Sequence, residues 1–122
     1  MSIEKALYQI YSSFGIPAYE ENSVPTEAKM PYITYEVATD NIDSENNIAL
    51  VADLWYKSDS WSSINAKADE ISKALIGGIK KATDDGFIIL YRASPFSQNM
   101  IDNSDQSIKR KHLNLECMFI TP

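Results

Sequence analysis

The chain predicts an α+β domain, one mostly antiparallel or mixed sheet of four to five strands with two helices on one face, in the order α-β-β-β-α-β-β. Three observations carry that expectation. Ile48, Leu50, Ala52, Leu54 and Tyr56 alternate at period two, the mark of a strand with one apolar face. After the polar turn Lys57 to Ser60, Trp61, Ile64, Ala68, Ile71 and Leu75 recur at spacings of three and four, as one face of a helix requires. No internal repeat, linker or low-complexity tract interrupts residues 1–122, which therefore read as a single domain.

Ser2 is placed to cap the first helix, Glu4 lies in its electropositive first turn, and Ile3, Leu7, Ile10, Tyr11 and Phe14 trace one face. Gly15 and Pro17 end that helix, and a short extended piece follows from Ile16 to Tyr19. A polar loop from Glu20 to Met30 leads into Tyr32 to Val37, whose aromatic and β-branched residues favour a strand. Asp40, Asp43 and Glu45 then crowd the connection Ala38 to Asn47 without a compensating cation.

Beyond the Ile48 strand, the second helix begins near Ser60, carries Asp69 and Lys73 one turn apart, and stops at Gly77 and Gly78, with a weaker extension to Lys81. Asp84, Asp85 and Gly86 form a turn, and Phe87 to Arg92 is a strand. Pro95 to Ser107 reads as a long polar loop holding Phe96, Met100, Ile101 and Asp102. In the last strand, Ile108 to Ile120, Leu113, Leu115, Cys117 and Phe119 share one face, and Lys109 to Lys111 extend past the core. Each helix has one apolar stripe and each strand one apolar face, so both helices pack on the same side of the sheet.

Composition narrows the function classes. Apolar residues at 44% and charged residues at 23% describe an ordinary folded domain. A lone cysteine excludes an internal disulfide, Met1 to Leu7 lacks the features of a secretion signal, and no apolar run is long enough to span a membrane. These features predict a cytoplasmic site of synthesis. A net charge of −6 argues against binding the phosphate backbone of nucleic acid, while leaving DNA free to pass nearby.

No catalytic signature is present, and the chain is expected not to be an enzyme and to need no cofactor or metal. His112 and Cys117 are single copies of their kinds, and five positions apart on one strand they point to opposite faces, which prevents activation of the thiol by the imidazole. Glu20 with Glu21 and Asp84 with Asp85 read as solvated acids. The Asp40 to Glu45 stretch lacks the glycine and closing glutamate of a calcium loop, and Gly77 with Gly78 lack the lysine of a phosphate loop. Lys109, Arg110 and Lys111 suit a solvated sheet edge or a subunit contact better than a nucleic-acid track. Trp55, Tyr56 and Trp61 cluster around the strand-to-helix turn, and one of Trp55 and Tyr56 must face away from the helices. Tyr32 and Tyr35 pose the same choice on the neighbouring strand.

The segments MPYITYEV (Met30 to Val37), ALVADLWYKSDSW (Ala49 to Trp61) and IILYRASPF (Ile88 to Phe96), with the long final strand, resemble the tail terminator and head-to-tail joining proteins of long-tailed bacteriophages and prophages. The resemblance covers most of the chain. It implies a homomeric ring, commonly of six subunits on the virion and monomeric in solution, made in the host bacterial cytoplasm and placed at the head–tail junction. There it would cap the head-proximal end of the tail tube, with the tube protein and the head connector or stopper as partners and DNA passing through unbound. On that reading Asp40, Asp43 and Glu45 line the channel. Lys109, Arg110, Lys111, Tyr32, Tyr35 and Trp55 form the subunit interface, and Phe96, Met100, Ile101 and Asp102 dock the tube or connector. A completion or connector-stopper role, or a small acidic protein-binding domain outside any virion, are the competing readings.

Overall fold

In a computed structural model the described residues are 1–37, 47–101 and 104–120. Helix α1 (Ile3–Ser12) begins where Ser2 Oγ accepts the Lys5 amide at 3.1 Å, and Gly15, at φ +87°, turns the chain away beyond its end. Three strands follow: β1 (Ala18–Glu20), β2 (Tyr32–Tyr35) and β3 (Asn47–Lys57). Helix α2 (Ser62–Ala74) then leads to β4 (Ile79–Thr83), β5 (Gly86–Met100) and β6 (Ile108–Ile120).

The sheet has six strands in the order β1-β2-β3-β6-β5-β4, not four to five. It is mixed: β1 runs parallel to β2, and every other neighbouring pair is antiparallel. The additional strand is β4, whose residues Ile79 to Lys81 read in the sequence as a tail of the second helix. Gly77 and Gly78, at φ +79° and +86°, end the helix and redirect the backbone, and the Asp84–Asp85 turn folds β4 onto β5.

Two further expectations are corrected by β5 and β6. The polar residues Ser97 to Met100 continue β5 instead of belonging to a loop, because they pair with Leu113 to Arg110 of β6. Lys109 to Lys111 do not project past the core: β6 is an inner strand, and these residues pair with Tyr56 to Leu54 of β3. Between Arg92 and Ser97 the β5 register shifts, so residues 93–96 bulge opposite Asn114, whose Nδ2 donates to the Pro95 carbonyl at 3.0 Å.

One core fills the face shared by both helices. Leu50, Ala52 and Leu54 of β3, Leu113, Leu115, Cys117 and Phe119 of β6, and Ile88 and Leu90 of β5 meet Leu7, Ile10 and Tyr11 of α1 and Ile64, Ala68 and Ile71 of α2. Tyr11 stacks on Tyr35 with ring centres 4.6 Å apart, and its buried hydroxyl lacks a hydrogen-bond partner among the described residues. Helix α1 packs against both edge strands, β1 and β4, which requires the sheet to curl around it. The helices are joined where Lys67 Nζ donates to the Phe14 carbonyl at 2.8 Å. The ion pair on α2 is Lys67 with Glu70 at 3.0 Å, and the anticipated pair of Asp69 with Lys73 does not form.

Candidate functional site

Strand alternation sends every second residue of β2, β3, β6 and β5 to the face that neither helix covers. The registers align these residues into two rows across four strands. One row runs Thr34, Asp53, His112, Gln98, and the next runs Tyr32, Trp55, Arg110, Met100. Cross-strand neighbours of this kind are close enough to interact directly.

The rows are locked together by polar contacts. Asp53 Oδ1 accepts from Arg110 Nε at 3.1 Å and meets His112 Nδ1 at 3.0 Å. Trp55 Nε1 donates to Thr34 Oγ1 at 2.9 Å, and the Arg110 guanidinium lies 5.0 Å from the centre of the Trp55 ring. Asp53 and Thr34 are only 7% exposed although no helix lies over them, so their neighbours in the two rows provide the cover. A carboxylate so enclosed needs its donors, which is why an arginine and a histidine face it. Chemically the arrangement holds an aromatic, a guanidinium and a thioether in fixed positions on a sheet surface, the residue types that anchor protein interfaces.

Of the residues singled out in the sequence, Tyr32, Trp55, Arg110 and Met100 are therefore brought together. Tyr35, Lys109 and Lys111 are not, because their parity places them on the helix side. Tyr35 is 5% exposed within the core, and Lys111 Nζ donates to Asn65 Oδ1 of α2 at 2.5 Å. Lys109 is 9% exposed, with its ammonium donating to the Gln106 carbonyl 5.7 Å from the centre of the Trp61 ring. Phe96 packs against the core from the bulge, whereas Ile101 is 83% exposed. Asp40, Asp43, Glu45 and Asp102 lie outside the described residues.

Cys117 is buried in the core and His112 is on the opposite face beside Asp53, as alternation predicts. Burial pushes the Cys117 thiol up to about 12, the reverse of what a nucleophile requires. Sequence reasoning passed over Asp53 and Thr34, and the available signal was their position: each interrupts the outer face of an otherwise apolar strand.

No family model matches the chain, and no curated protein matches it. A solved chain from the virion of a native gene transfer agent (GTA) particle has a TM-score of 0.68 at 16% sequence identity, over 95% of this chain and 92% of that one. The two share a fold. Among the described residues no helix is long and apolar enough to cross a membrane.

Proposed function

We propose that this chain is a structural, non-catalytic subunit of a phage-like virion, a tail terminator that forms a ring at the head-proximal end of the tail tube. In that position it halts tube growth and offers the surface on which the head connector or stopper docks. The observation that carries the reading is the near end-to-end fold likeness to a chain of a GTA virion. The helix-free face, with Tyr32, Trp55, Arg110 and Met100 in one row, provides an anchor-rich surface for a virion partner. A net charge of −6 suits a ring, commonly of six copies, through which DNA passes without adhering.

The test is deletion of the gene from the element that encodes it, followed by electron microscopy scoring tail length and head attachment together. Overlong tails beside separate DNA-filled heads are expected. Tails of normal length that fail to attach would replace this reading with a completion or connector-stopper role, and intact infectious particles would overturn it.

A further inference from the structure

Large apolar side chains are exposed at three places among the described residues: Tyr8 on α1 with Met1 ahead of it, Ile76 beyond α2, and Met100 with Ile101 at the end of β5. The last pair belongs to a groove. Met100, Ile101, Trp61, Gln106, Ile108 and Lys109 line an open depression of about 280 Å³ where the helix side of the sheet meets its helix-free side. Its walls are mostly apolar, yet its inner end holds the ammonium of Lys109.

Among the described residues that cation has no ion-pair partner. The nearby Asp105 is fully exposed and engaged with Ser107, whose side-chain and backbone hydrogen bonds hold its carboxyl below the usual range, with Lys57 and Lys109 acting on it at longer range. A largely buried ammonium beside an aromatic ring and aliphatic walls selects an occupant that carries an apolar side chain next to a carboxylate.

The outer side of α1 has that composition. Glu4 and Tyr8 lie four residues apart within α1 and so share one stripe of the helix, with Met1 just ahead of the Ser2 cap. Tyr8 is 49% exposed and Met1 40% exposed, and Glu4 is exposed as well. Burial of a half-exposed tyrosine against Trp61 and Ile101 would supply the anchor, and Glu4 one turn away would supply the charge.

We propose that the groove receives α1 of a second copy of this chain, with Tyr8 between Trp61 and Ile101 and Glu4 paired with Lys109. The two surfaces lie at different ends of the molecule. The Asp84 amide donates to the Met1 carbonyl beside the β4–β5 turn, whereas Met100 ends β5 at the far end of the same strand. The contact is consequently heterologous, the class of interface that closes into a ring when the rotation between copies permits. The proposal rests on the ring assembly proposed above and assigns it a pair of surfaces.

Disulfide trapping tests it. Under mild oxidation the Lys5→Cys, Gln106→Cys double variant, which keeps Tyr8, Glu4 and Lys109 in place, should give covalent multimers beyond the dimer, and each single variant none beyond the dimer. Ile101→Asp added to the double variant should reduce multimer yield about tenfold, and at 83% exposure this substitution leaves the core intact. Glu4→Lys should reduce the yield similarly, and combination with Lys109→Glu should restore it, with circular dichroism confirming that each variant folds. Multimers no more abundant from the double variant than from either single variant, or a yield indifferent to Ile101→Asp, would overturn the proposal. Trapping without a deletion phenotype would leave this contact standing and remove the terminator role. A deletion phenotype without trapping would do the opposite.

Discussion

Asp53 shows how much of the outer sheet surface depends on one side chain. It is the common acceptor for Arg110 and His112 and sits in the row that also holds Thr34. Asp53→Ala leaves both donors without their acceptor, and since Arg110 and His112 retain some solvent contact the expected loss is about 1–3 kcal/mol in urea unfolding. Cys117 acts in a different direction. Burial raises its pKa from 9.0 to about 12, and burial first among other causes raises Tyr11, Tyr35 and Tyr56. The native state thus disfavours the ionised forms. The contribution of Cys117 to stability should be level below about pH 9 and be lost as pH rises toward about 12, and Cys117→Ala should lessen that alkaline fall in a series of Tm measurements. The face assignments of Cys117 and His112 were legible because alternation alone determines them. The enclosure of Asp53 was not, since it depends on which strand lies beside β3.

At the level of elements, the two adjacent glycines after α2 separate conformational from steric demands. Both have positive φ, but a Cβ on Gly77 meets nothing within 4 Å, whereas one on Gly78 would lie 2.6 Å from Ile89 Cγ2 and 2.8 Å from the Tyr91 ring. Gly77→Ala is expected to cost about 1 kcal/mol for the left-handed backbone, and Gly78→Ala at least twice that, read as a difference in denaturation midpoints. Helix α1, β3 and β6 were legible because caps and long periodic runs agree with their final surroundings. Strand β4 was not: Ile79, Lys80, Lys81, Ala82 and Thr83 hold too few apolar residues to declare a strand, a composition that suits the sheet edge they occupy. The end of β5 was hidden for a related reason. Ser97, Gln98 and Asn99 are loop formers on their own and become strand through their pairing with β6.

For the whole molecule, the α+β class and the placement of both helices on one face followed from the apolar stripes, while strand order did not, because it is set by contacts between distant segments. The candidate surface was legible in part. Tyr32, Trp55, Arg110 and Met100 were each identified, but their alignment into one row required the registers of β2, β3, β6 and β5. That strand order has a temporal consequence. Strand β6, synthesised after every other strand of this sheet, lies between β3 and β5 and is hydrogen-bonded along both of its edges. Until Ile108 to Ile120 have emerged, the two halves of the sheet have no strand to join them, and the rows that contain Arg110 and His112 are missing their centre. Synthesis itself therefore acts as a timer: the sheet and its outer face close only once β6 is available to join the two halves.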